Sequence, residues 1–291
     1  MGKLVRCINK EGTIVIMAVD STDVVAEAER IHKTSAVVTA ALGRLLTGCS
    51  MMGAMLKGKD DSVSLQFRGN GPAGSLIAVS DSEGNVRGSV DNPVVELALN
   101  DKGKLDVGGA VGREGTMFVV KDLGLKEPYV GQTPIVSGEI AEDITSYYAV
   151  SEQIPTVCAL GVLVNPDLTA KAAGGFMIQL LPAADEREIE LVERCIAGLP
   201  SVTSMIDKGM SPEDICRFVL KECELEVLDE SKVSYKCNCT RERVERALMS
   251  VGKETLEELA AEGKEQELCC HFCDKKYYFS SDDIKKMIAE S

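Results

Sequence analysis

The stretch DSVSLQFRGNGPAGSLIAVSDSEGNVRGSV, residues 61–90, decides the fold. Its centre, GNGPAG at 69–74, satisfies G-x-G-x-x-G directly after an alternating run. A dinucleotide site needs a helix to begin there, so that the N-terminal amides meet a pyrophosphate. Pro72 interrupts instead, and SLIAVSD resumes strand alternation, so the glycines form a turn. The three runs DSVSLQFRG, GSLIAVSD and NVRGSV therefore read as a meander.

Outward from that meander the pattern remains one of hairpins with interspersed helices. Residues 3–19 read as two strands about the turn Asn9-Lys10-Glu11-Gly12. From Ser21 the period changes, with Val24, Val25, Ala28 and Ile31 at helical spacing. The run SAVVTAALGRLLTGCSMMGAMLKG (35–58) is apolar nearly all round, which predicts a helix buried between layers. More strands are expected at 115–121, 128–137, 155–164 and 169–181, with a helix near 141–152. Hairpins without regular βαβ alternation give an α+β fold class.

After Pro182 the character shifts to charged, amphipathic helices. Ile189, Val192, Ile196 and Leu199 form one stripe; Ile215, Phe218 and Val219 form another after Ser211-Pro212-Glu213-Asp214. The expected organisation is an N-terminal core domain of sheet meanders with packed helices (1–183), a helical linker (184–232) and a small C-terminal domain (233–291). In that last segment Val244, Ala247, Leu248 and Val251 make a helical stripe, followed by short helices near 254–261 and 280–290.

Bulk properties narrow the function. The chain has 291 residues, 45% hydrophobic and 27% charged, enough to bury a core without disulfides. A formal net charge of −14 disfavours a nucleic-acid backbone as partner, because phosphate contacts need surplus Lys and Arg. No signal-peptide pattern and no uninterrupted run of about 18 apolar residues occurs, so the expected address is cytoplasmic, away from membranes. With only two histidines and neither G-x-S-x-G nor H-E-x-x-H, no catalytic residue is assigned. His32, beside Lys33 at a helix end, reads as structural.

Eleven cysteines in a reducing compartment indicate ligands or buried thiols rather than a disulfide framework. Cys7, Cys49, Cys158, Cys195, Cys216 and Cys223 are dispersed on apolar faces and read as small hydrophobes. Cys237-Asn238-Cys239 and Cys270-His271-Phe272-Cys273 differ: each pair can grip one ion from a tight turn, and together they complete a four-thiolate zinc shell. Cys269 is a surplus thiol that can compete with Cys270, as can the imidazole of His271. Tyr235, Tyr277, Tyr278 and Phe279 are expected in short strands sheltering the ion. Lys236, Arg241, Arg243, Lys275 and Lys276 lie close in sequence, available to balance its −2 shell of four thiolates. A closed shell leaves no position for water, which disfavours hydrolytic chemistry. It keeps sulfur in the oxidisable thiolate form, so the site can act as a switch as well as a staple.

The C-x-C…C-x-x-C arrangement resembles the zinc motif of the 33 kDa chaperonins, bacterial redox-regulated holdase chaperones. HKTSAVVTAALGRLL, MGAMLKG, DSEGNVRGSVDNP, SYYAVSEQIP and AAGGFMIQLLP are similar to that family's N-domain segments, in the same order. The resemblance implies one Zn²⁺ per chain on Cys237, Cys239, Cys270 and Cys273 in a reduced, inactive form. Oxidation then forms Cys237–Cys239 and Cys270–Cys273 disulfides, releases zinc and exposes the linker. Implied partners are unfolding client proteins, downstream ATP-dependent foldases and, on activation, a second copy of the chain. Two other readings compete: a constitutive zinc-ribbon module for RNA or a ribosomal partner, and a thiol oxidoreductase using Cys270 and Cys273.

Overall fold

In the computed structural model, which describes residues 2–290, the chain divides into two compact units, Met1–Lys236 and Cys237–Ser291. The first holds two five-stranded antiparallel sheets. One contains β1 (Gly2–Asn9), β2 (Ile14–Asp20), β8 (Thr156–Val164), β9 (Ala170–Leu180) and β10 (Leu225–Val233), in the order β10-β1-β2-β9-β8. The other contains β3 (Ser62–Gly69), β4 (Ser75–Asp81), β5 (Val86–Val90), β6 (Gly115–Asp122) and β7 (Tyr129–Pro134), in the order β5-β4-β3-β6-β7. The fold is α+β, with the meander expected at 61–90 forming β3–β5.

The glycine turn shows why a side chain is excluded there. A Cβ on Gly71 would stand 2.3 Å from the Ala110 carbonyl oxygen. The Gly71 and Ala73 amides donate to the Val111 and Ala110 carbonyls at 3.1 and 3.0 Å, stitching the turn to α3 (Val107–Val111). That short Gly-rich helix was not anticipated from the sequence.

Between the sheets lies α2 (Ala36–Ala54), after α1 (Thr22–His32). Helix α2 is long and apolar enough to cross a membrane by composition, but 16 of its 19 residues are buried within the fold. Val38, Leu42, Leu45, Leu46, Cys49 and Met52 join Leu4, Met17 and Val19 of one sheet and Val63, Leu65, Phe67, Leu76 and Ala78 of the other. Strict alternation along β3 places Val63, Leu65 and Phe67 inward. Helix α4 (Ala141–Tyr147) runs into a π-helical stretch, Tyr148–Glu152. The Asp143 carboxylate, 1% exposed, accepts from the Val136, Ser137 and Ile140 amides and so fixes the helix entry.

The segment 184–232 covers the other face of the first sheet. It carries α5 (Glu186–Ile196), α6 (Val202–Asp207) and α7 (Pro212–Val219), and ends in β10, a strand absent from the sequence reading of a helical stretch. Asp185 and Ser211 cap α5 and α7 through reciprocal capping boxes with Glu188 and Asp214. Val192, Cys195, Val202, Met205, Ile215, Cys216 and Val219 pack on Val5, Cys7, Ile14, Ile16, Ala18, Phe176 and Ile178. Strand β10 pairs with β1 from Gly2↔Val233 to Asn9↔Leu225, and Lys3–Glu230 and Arg6–Asp229 bridge the pair. Beyond it, Ser234–Lys236 continue along β5: the Val86 amide donates to the Ser234 carbonyl and the Lys236 amide to the Val86 carbonyl. His32 is structural here too. Its Nε2 lies 2.9 Å from the Gly88 carbonyl oxygen and 3.2 Å from the Tyr235 hydroxyl.

The second unit contains α8 (Arg241–Met249), α9 (Lys253–Ala261), the hairpin β11 (Gln266–Cys269) and β12 (Lys276–Phe279), and α10 (Ser281–Glu290). Its core is small: Leu248, Leu256, Tyr277, Phe279, Ile284 and Met287.

Candidate metal centre

Two turns bring the cysteine pairs together. Cys237 and Cys239 lie just before Thr240, whose hydroxyl caps α8 by accepting from the Arg243 amide. The other pair sits between β11 and β12. There the Cys270 carbonyl accepts from the Cys273 and Asp274 amides at 3.3 and 2.9 Å, while the Cys270 amide donates to the Lys275 carbonyl. Asp274 takes a left-handed backbone, φ 57°, to close this knuckle.

The Sγ atoms of Cys237, Cys239, Cys270 and Cys273 all lie within 4.8 Å of one another. Cys237 Sγ is 3.7 Å from Cys270 Sγ, and Cys239 Sγ is 3.4 Å from Cys273 Sγ. A tetrahedral Zn²⁺ with bonds of about 2.3 Å implies sulfur–sulfur edges of about 3.8 Å. The donor set and its spacing therefore fit a metal ion of zinc's size and softness. These distances also exclude a preformed disulfide, which needs about 2 Å.

The neighbouring thiol is differently employed. Cys269 is exposed and donates to Asp274 Oδ1 at 2.8 Å; that carboxylate pushes its pKa up to about 11. His271 is exposed as well, and neither residue belongs to the four-sulfur group. Of the nearby cations, Arg241 stacks over the Phe279 ring and reaches Asp283, and Lys276 pairs with Glu267 at 2.7 Å. Arg243 donates to the carbonyl of Asn238, between the first two cysteines. The basic residues thus serve mainly to brace the unit.

Tyr277 is the participant that spacing alone did not reveal. The sequence assigned it to a sheltering strand, which β12 is; its hydroxyl also donates to the Cys239 sulfur at 3.2 Å and lies 3.1 Å from the Cys239 carbonyl oxygen. Burial opposes ionisation of Cys239, but the Tyr277 hydroxyl and the Cys273, Cys237 and Cys270 thiols outweigh it. They bring its pKa down to about 7. Burial instead raises the Cys237 and Cys273 thiols. Of these three thiols Cys239 gives up its proton most readily.

The dispersed cysteines are mostly interior. Cys7, Cys49, Cys195 and Cys216 are buried, and Cys158 and Cys223 are partly so. Burial pushes Cys49 up to about 12, as expected of an inert interior thiol.

An α+β unit bearing two stacked sheets, followed by a small unit with a four-thiol cluster, defines a protein of the chaperone class when set beside known proteins. The family described as Hsp33 protein matches residues 2–280, and the chain belongs to the Hsp33 family. The 33 kDa chaperonin of Clostridium botulinum (strain Alaska E43 / Type E3) is 46% identical over 289 residues, 99% of this chain and 98% of that protein. That of Clostridium perfringens (strain SM101 / Type A) is 50% identical over 289 residues, 99% of this chain and 92% of that protein. The crystal structure of the 33 kDa chaperonin, a heat shock protein 33 homolog, from Thermotoga maritima has a TM-score of 0.89 at 38% identity. It covers 99% of this chain and 98% of its own.

Proposed function

We propose that the chain is a cytoplasmic, redox-regulated, ATP-independent holdase whose four clustered cysteines are the ligands of one Zn²⁺ and the sensor of oxidants. The observation that carries this reading is the approach of four sulfurs, from two turns 30 residues apart, to within 4.8 Å of one another. A bound Zn²⁺ holds all four as thiolates and joins the two halves of the second unit. In that form the chaperone is inactive.

Oxidation is a reaction of the cysteines themselves. The Cys239 thiolate attacks a peroxide oxygen, forming a sulfenic acid and releasing hydroxide, which a proton converts to water. The Cys237 sulfur then displaces the second oxygen as water, giving a Cys237–Cys239 disulfide; Cys270 and Cys273 react likewise with a second peroxide. Disulfides are poor ligands, and each lies within one half of the motif, so the halves are no longer joined. Residues 237–291 unfold and become a long unstructured extension of Ser234–Lys236. The 184–232 segment acts as a linker that loosens and uncovers the apolar face of the first sheet to unfolding clients. The active form dimerises and hands its clients to ATP-dependent foldases after reduction.

The test is to treat the reduced, zinc-loaded protein with peroxide at mildly elevated temperature, following zinc release with a chromophoric chelator and client aggregation by light scattering. The expected result is loss of one zinc per chain together with suppressed aggregation. Zinc loss without suppression would sink the chaperone mechanism.

The Tyr277 contact adds a prediction. A hydroxyl donated to a metal-bound thiolate orients it, and loss of such partners typically costs 10–100-fold in metal affinity. Tyr277→Phe should therefore weaken zinc binding by about 10-fold or more in chelator competition, with far-ultraviolet circular dichroism of the zinc-saturated protein unchanged.

A further inference from the structure

Two unpartnered features border one cleft of the first unit. One is a sheet rim. The Leu180 amide donates to the Pro155 carbonyl opposite it, and antiparallel bonding alternates. Val157, Ala159 and Gly161 therefore bond β9, while Cys158, Leu160 and Val162 turn amide and carbonyl outward. Strand β8 ends its sheet, and among the described residues these outward groups have no hydrogen-bond partner. The other rims are guarded. Glu226, Asp229, Glu230 and Lys232 charge β10, Pro134 sits on β7, and residues 234–236 pair with Val86 at the start of β5. Strand β8, TVCALGVLV, has neither charge nor proline. The other feature is the segment 94–99, which is neither helix nor strand. Val94, Leu97 and Leu99 are 66%, 40% and 60% exposed although apolar. Among the described residues, the amides and carbonyls of 96–99 make no hydrogen bond. The chain then turns at 100–104, and Asn100, Lys102 and Lys104 line a cleft of about 580 Å³ together with residues 157–161. A run of free backbone with apolar side chains thus leads to a rim that lacks a strand.

We propose that two copies of the chain join by strand exchange, residues 96–99 of each adding to the β8 rim of the other. The arrangement is two-fold and closed: each copy gives one segment and accepts one, so neither rim is left open. Main-chain hydrogen bonds satisfy the outward groups of Cys158, Leu160 and Val162, and Leu97 and Leu99 leave water. Glu96 of the entering segment meets a cleft that carries Lys102 and Lys104, neither of which has an ion pair among the described residues. The inference names the surface of the dimer proposed above, and rests on that reading for its link to oxidation. Residues 199–202, within the 184–232 segment, line the same cleft, so loosening of that segment opens it to the second copy.

The test takes the full chain, zinc-loaded and then oxidised with peroxide, through sedimentation velocity and single-amide hydrogen exchange at low and high protein concentration. The expected result is a dimer at high concentration. In it the amides of Cys158, Leu160 and Val162 and those of 96–99 slow together, at least roughly tenfold. Leu97→Ser combined with Leu99→Ser alters side chains that are exposed in the single chain, so the fold persists. That variant should raise the dimer dissociation constant at least roughly tenfold. A protein that stays monomeric overturns the inference, as does a dimer whose 96–99 and β8 amides exchange as in the monomer. Protection of the β8 rim only on adding an unfolding client also overturns it, and assigns the rim to clients instead. Light scattering of a client in the same samples judges the holdase reading separately: suppressed aggregation without protection at β8 removes this interface alone.

Discussion

If the four cysteines hold zinc as proposed, stripping it or replacing Cys239 with Ser should unfold residues 237–290 and leave the first unit intact. The six fully or nearly buried side chains of the second unit, led by Leu256, Phe279 and Ile284, are too few to stabilise some 55 residues alone. A structural zinc contributes on the order of 10–16 kcal/mol in isolated fingers, more than such a core supplies. Closing the loop between Cys239 and Cys270 costs roughly 3 kcal/mol plus a constant, and besides the four sulfurs it is spanned by the small core, the Tyr277–Cys239 hydrogen bonds and the contacts of Arg241 with Tyr278, Phe279 and Asp283. Hydrogen exchange should therefore show α9 and α10 losing protection in the variant while β3 and β4 keep theirs. Retained protection of α10 would mean that the small core suffices and that the cysteines stabilise little.

The second large effect is expected at Ile215→Asp in the reduced, zinc-loaded protein. Ile215 is fully buried where α7 meets Ile14, Ile16 and Ala18. Removing the side chain costs about 2–5 kcal/mol, and an unpaired carboxylate adds desolvation for which the apolar face offers no partner. The capping box at Ser211 and Asp214 is untouched, so the helix can persist while its docking fails. On the proposed mechanism this opens the client surface without oxidant. Light scattering should show the reduced variant suppressing client aggregation, whereas Ile215→Val, costing about 0.5–1.5 kcal/mol, should remain inactive. Rapid exchange in 212–219 without any suppression would show that the covered sheet face does not receive clients.

What the sequence made legible follows from how each element is buried. Strands β3 and β4 are wet on one face and dry on the other, so alternation marks them; α2 is dry all round, so its apolar length marks it. Strand β10 is the opposite case. LEVLDESKV is exposed through most of its length and held by backbone pairing and ion pairs to β1, neither of which leaves a period in the side chains. The helical stripes around it suggested a wholly helical segment. The four clustered cysteines were legible because a metal demands close pairs in the chain. The Tyr277 contact was not, since it joins residues that only folding makes neighbours, and no spacing rule governs it.

The pairing of β1 with β10 bears on the order of events during synthesis. Strand β1 is made before either partner and can soon pair on one side with β2, but its other neighbour emerges more than 200 residues later. At about 5–20 residues per second, that partner lags by roughly 10–40 s. Throughout that interval one rim of β1, Gly2 to Asn9, presents unsatisfied amides and carbonyls to any extended segment nearby. The lysine and arginine that later bridge to β10, Lys3 and Arg6, sit on this same rim. Their charges discourage a wrong strand from settling there first. The nascent chain thus passes through a vulnerable stage of its own, guarded by side chains that later bridge β1 to β10.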